Sequence, residues 1–173
     1  MSNQDTIAIL DVGSIQHPLE LLDRLSEDPA ITALVDRYGK DWTVTEWTLQ
    51  PSASDSRVVD ILGPGGLVLR LGKKCVEVYH LISFRTFAEA GADHRLVRRA
   101  FRAIARLVGS KRAIYTHELA NTDRDPETGT EEVIASLSSH AGAPSKTFAD
   151  LARAEPYRAG SWYVDTFSDL DAN

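Results

Sequence analysis

The chain has a single cysteine, Cys75, in 173 residues. That excludes an internal disulfide, leaves no second thiol for a metal cage, and agrees with a reducing compartment. No apolar run reaches the roughly eighteen residues that a membrane helix needs. The N-terminus, with Asn3, Gln4 and Asp5, lacks the basic start and hydrophobic stretch of a secretory signal. The expectation is a cytoplasmic chain with no membrane association. Cofactor signatures are missing too. Gly63-Pro64-Gly65-Gly66 is followed by the strand-like Leu67-Val68-Leu69, where a phosphate cradle requires a lysine and a helix start. Asp123, Asp125 and Glu127 begin like a calcium loop, but Gly129 falls one place late for its turn and Ile134 stands where a bidentate glutamate belongs. Neither a metal nor a cofactor is expected.

What is present is charge, unevenly placed. The formal net charge is -6, yet seven of the nineteen basic residues fall between Arg95 and Arg112. Asp93 is the only acid between 93 and 112, so that stretch carries +6 and the remainder -12. Arg95, Arg99, Arg102 and Arg106 are spaced i, i+4, i+7, i+11 and would line one side of a helix. Val97, Phe101, Ile104 and Val108 repeat on the opposite side, widened by Leu96, Ala100 and Leu107. With Asp93 as a cap and Gly109 as a stop, the pattern predicts a helix over 94–108 with one face in the core and an arginine ridge in water. Such a ridge is either a merely solvated face or a surface for an anionic partner. Nucleic acid is the weaker partner, because a pI near 5.3 leaves the rest of the surface repelling phosphate.

Composition, 43 % apolar and 25 % charged, suits one globular domain over 1–173 with a short acidic C-terminal end. Residues 6–12 read as an apolar strand. Pro18 opens a helix carrying Leu19, Leu22 and Leu25, and Asp28-Pro29 starts a second with Ile31, Leu34, Val35 and Tyr38, ended by Gly39. An antiparallel meander follows at 42–49, 57–62, 67–71 and 75–84, turning at the Gly63–Gly66 and Gly72-Lys73-Lys74 stretches. In its last strand Val76, Val78, His80 and Ile82 share one side, and Cys75, Glu77, Tyr79 and Leu81 the other. Beyond the arginine helix come a strand at 113–119, a helix at about 130–139 with a Thr128/Glu131 capping box, a short helix from Pro144 to Ala154, and a closing strand at 161–167. The order predicts an α+β fold: an antiparallel meander-type sheet of about five to seven strands with helices on at least one face.

Candidate chemistry is sparse. His117 and Glu118 are neighbours on a strand and so point to opposite faces; with His80 they form the alternative reading, a small enzyme with a site at the sheet rim. Cys75, on a strand apolar on both sides, is read as packed rather than nucleophilic. Trp42 and Trp47 lie five apart on one expected strand and face opposite ways, which makes Trp47 a candidate exposed aromatic for a partner. Asp165, Asp169 and Asp171 make the C-terminal end acidic, which is either a solvated tail or, with the carboxylates folded side by side, a negative face able to steer a basic partner.

A small, acidic α+β chain without catalytic machinery resembles the single-domain immunity proteins that bacteria pair with toxins, the likeness running from AIYTHEL at 113–119 to SWYVDTF at 161–167. The resemblance implies a non-catalytic, stoichiometric inhibitor that binds a toxin domain through charged and aromatic contacts. The candidate partner-binding residues are Arg95, Arg99, Arg102, Arg106, Trp47, Asp165 and Asp169.

Overall fold

The computed structural model describes residues 5–12, 18–41, 43–53, 55–88, 91–117, 128–144 and 162–167. Among them run β1 (Asp5–Asp11), α1 (Pro18–Glu27), α2 (Pro29–Tyr38), β2 (Thr48–Pro51), β3 (Val59–Leu62), β4 (Leu67–Leu71), β5 (Cys75–Ser83), α3 (Phe84–Ala88), α4 (Ala92–Leu107), β6 (Arg112–His117), α5 (Thr130–Ala141) and β7 (Tyr163–Thr166). The strands form one sheet in the order β2-β3-β4-β5-β1-β6-β7, with every neighbouring pair antiparallel. The fold is α+β, and β2 to β5 are the expected meander. The expected helix from Pro144 to Ala154 lies almost wholly outside the described residues.

The first strand runs inside the sheet because Ile7, Ala8, Ile9 and Leu10 are apolar without interruption and buried on both faces. Register then sorts the side chains. Leu49, Ile61, Leu69, Val78, Ala8, Tyr115 and Tyr163 lie opposite one another across seven strands. They line the face on which α1, α2, α3 and α4 pack the main core. On the other face the adjacent row changes character at the β5–β1 boundary. Gln50, Asp60, Arg70 and Glu77 give way to Ile9, Ile114 and Val164, and Val133 and Leu137 of α5 cover the apolar half.

Local chemistry sets the start of α2 and the β3–β4 turn. Asp28 Oδ1 accepts the Ala30 and Ile31 amides at 2.9 and 3.2 Å, capping α2 just before Pro29. Gly66 takes φ +77°, and a Cβ there would run into the Leu81 side chain, so the β3–β4 turn requires glycine at that point.

Several expectations need correcting. The strand expected at 42–49 is Thr48–Pro51, so Trp47 precedes it, and Trp42 is outside the described residues. Phe84 leaves the β5 strand to begin the short α3. In α1 the buried residues are Leu21 and Leu25, with Leu22 partly buried, while Leu19 is 55 % exposed. Gly91, not Asp93, is the N-cap of α4; Asp93 sits in its first turn, 3.7 Å from Arg37. Gly129 stands at the N-cap of α5 without a side-chain bond, and the expected partner Glu131 pairs with Arg112 instead.

Candidate functional site

The arginine ridge forms as its spacing requires. Along α4 the residues His94, Val97, Ala100, Phe101, Ala103, Ile104 and Ala105 are buried. At 100° per residue, Arg95, Arg99, Arg102 and Arg106 fall within a sector of about 60° on the opposite side, over about 16 Å of helix. Arg95, Arg99 and Arg106 are exposed, and their side chains make no ion pair or hydrogen bond among the described residues. Arg102 is half-buried, its guanidinium carbon 5.2 Å from the centre of the Phe167 ring. That contact orients the group while leaving it charged.

Arg98, between the ridge and the core, has a different task. Its Nε and Nη2 donate to the two Asp165 oxygens at 2.8 and 2.9 Å, and the Tyr115 hydroxyl donates to Asp165 Oδ2 at 3.2 Å. Asp165 is only 5 % exposed. Its place in the acidic face expected at the C-terminal end is therefore corrected, since the alternation of β7 turns it towards α4 and its charge is spent in holding that strand. Tyr115 is fully buried, and burial with the Asp165 charge beside it raises its phenol well above the ordinary value. Asp169 and Asp171 lie outside the described residues. Trp47 is half-buried and packs on the main core, its ring against Gly63.

The histidines meet only in part. Thr6 of β1 is opposite His80 on one side and His117 on the other, so both imidazoles share one row on the helix-covered face. Their backbones are two strand spacings apart, about 10 Å. His80 Nδ1 accepts the Ile82 amide at 3.1 Å, and Nε2 has no partner at ordinary hydrogen-bond geometry. Burial lowers its pKa to about 4, with the Gly65 backbone acting the other way, so the ring is neutral near pH 7. Tyr38 meets its ring edge-on at 4.9 Å. His117 Nδ1 is buried without a partner, its ring lies 5.9 Å from that of Phe84, and burial lowers its pKa as well. The Thr6 hydroxyl between them donates to the Ile82 carbonyl at 2.8 Å. Glu118 lies outside the described residues. Glu77 is on the other face from His80, where it accepts the Tyr79 hydroxyl at 2.7 Å.

Sequence reasoning missed the cross-strand cluster around Glu77. Arg70 Nε donates to Asp60 at 3.1 Å, its Nη1 lies 3.8 Å from Glu77, and its guanidinium carbon is 5.6 Å from the Tyr79 ring centre. The available signal was a charged residue at alternate positions of three consecutive strands, which register brings opposite one another. A second cluster joins Arg112 to Asp11 at 3.0 Å, to the Thr130 hydroxyl at 2.9 Å and to Glu131, fastening the start of α5 to the sheet. Arg98, Arg70 and Arg112 thus each tie neighbouring elements together. Cys75 is buried. Among the described residues no group of three or more His, Cys, Asp or Glu is placed to hold a metal ion, and no helix is long and apolar enough to cross a membrane. Comparison with models of known families, with curated proteins and with solved structures finds no match.

Proposed function

We propose that the chain is a non-catalytic protein-binding module of the immunity type, acting in the cytoplasm by stoichiometric binding of a toxin domain. One observation carries the reading: Arg95, Arg99 and Arg106 stand exposed and unpaired on one helix face, with Arg102 seated on Phe167 beside them. An arginine fork without a carboxylate in its own chain offers bidentate donors to a partner's carboxylates, and four on one ridge raise the encounter rate with an acidic surface. Phosphate backbones would meet the same ridge, and the net charge of -6 opposes any anionic partner alike, so nuclease treatment is what separates the two.

The test uses immobilised chain beside the variant with Arg95→Glu, Arg99→Glu and Arg106→Glu. A stoichiometric protein that is retained after nuclease treatment, lost with the variant, and toxic when expressed without this chain is the expected result. Nuclease-sensitive retention would instead make the ridge a nucleic-acid surface. The histidine row keeps an enzymatic alternative, since the His117 Nδ1 there is buried without a partner. Under the immunity reading, His80→Gln and His117→Gln leave rescue from the toxin intact once stability is matched; loss of rescue by both would turn the argument to the enzyme.

A further inference from the structure

The outer surface of the helical layer carries a second charged stripe. Glu20, Asp23 and Glu27 of α1 are exposed and make no ion pair or side-chain hydrogen bond among the described residues. Their spacing, i, i+3, i+7, places them within a sector of about 60°, opposite the buried Leu21 and Leu25, with the exposed Arg24 at the margin of the stripe beside Glu20. Arg99, Arg102 and Arg106 of α4 have the same i, i+3, i+7 spacing. Both helices bury their other sides on the same face of the sheet, they touch each other there, and α2 packs against both. One surface of the molecule thus bears an acidic ridge and a basic ridge of equal pitch. Leu19, the large hydrophobic residue left exposed among those described, flanks the acidic one.

We propose that two copies of the chain pair through this surface, with α4 of each copy lying on α1 of the other. A two-fold axis across the helical layer brings the basic ridge of one protomer to the acidic ridge of its partner and repeats the match on the far side, so each contact is made twice. The same operation covers both copies of Leu19. Within a single molecule the stripes point away from the sheet and leave each other unpaired, so a second copy supplies what the fold does not. The contact is built on exposed charge, so it is weak and salt-sensitive. It does not rest on the immunity reading, and the purified chain alone suffices to test it.

Sedimentation velocity decides the matter. Wild-type protein is expected to sediment as a dimer in about 20 mM salt and as a monomer in about 0.5 M, where the screening length drops to a few ångströms. A variant with Glu20→Lys, Asp23→Lys and Glu27→Lys faces positive charge with positive, and one with Arg95→Glu, Arg99→Glu and Arg106→Glu faces negative with negative. Each alone is expected to be monomeric in low salt. Mixed, they restore both complementary contacts and form a heterodimer. A wild-type chain that stays monomeric in low salt, a dimer that survives both reversals, or a mixture that fails to associate would each overturn the proposal. The wild-type salt series stands by itself should a variant not fold.

Discussion

At the scale of single residues, the groups that sequence made most tempting are those the fold has taken out of water. His80 has a folded-state pKa of about 4 against an ordinary 6.5, so the unfolded chain takes up a proton that the folded one refuses. Its contribution to stability is whole above about pH 6.5, declines as the pH falls towards 4, and is level below. The total loss is about 3 kcal/mol at most. His94 and His117 are shifted in the same direction by burial and steepen the decline. Urea unfolding across this range should show the slope, and His80→Leu should make it shallower; an unchanged slope would show that another group dominates. Asp165 yields a second prediction. Arg98→Ala leaves a buried carboxylate without its cation and should cost about 3–5 kcal/mol, whereas Arg98→Met with Asp165→Leu should cost less than the two single changes added together. The strand alternation that turns Asp165 inward was present in SWYVDTF, but nothing in the sequence said that α4 would lie above it.

Elements were legible where capping and periodicity agreed. The second helix has its Asp-Pro start and Gly39 end, and α4 has its sixteen residues near the expected span because polar and apolar residues separate cleanly around it. Asp28→Ala should cost about 1 kcal/mol through the loss of two amide bonds, read from the shift in urea midpoint at constant slope. The β3–β4 turn should be more sensitive. Gly66→Ala meets both a positive φ and the Leu81 side chain, while Gly91→Ala at the start of α4 has open space around it and should be nearly neutral. Comparable losses at the two glycines would refute the packing argument. Where elements were misread, tertiary contact had overridden local pattern. Leu19, Leu22 and Leu25 have helical spacing, but Leu21 is the residue turned inward with Leu25. Thr128 and Glu131 have capping-box spacing, but Arg112 claims the glutamate.

For the whole molecule, the consequence of the charge map is that the ridge is dispensable for folding. Changing Arg95, Arg99 and Arg106 together to glutamate removes no described contact and should move stability by no more than about 0.5 kcal/mol for each site, as thermal unfolding in moderate salt can check. A larger loss would mean that the ridge serves the fold. The division of the second sheet face belongs to this scale as well. Its polar half, from Gln50 to Glu77, and its apolar half under α5 come from segments far apart in the chain, and only the insertion of β1 between β5 and β6 sets them side by side.

The amino-acid order alone determined the α+β class, the meander from β2 to β5, the arginine ridge and the packed state of Cys75, because each follows from period, turn chemistry or composition within a few residues. Tertiary structure decided the rest. It placed β1 in the middle of the sheet, set His80 and His117 in one row with Thr6 between them, spent Asp165 on Arg98, and put the acidic stripe of α1 on the same surface as the ridge of α4. Those outcomes depend on strand register and on which helix covers which strand, and both are settled by burial summed over segments that are distant in sequence.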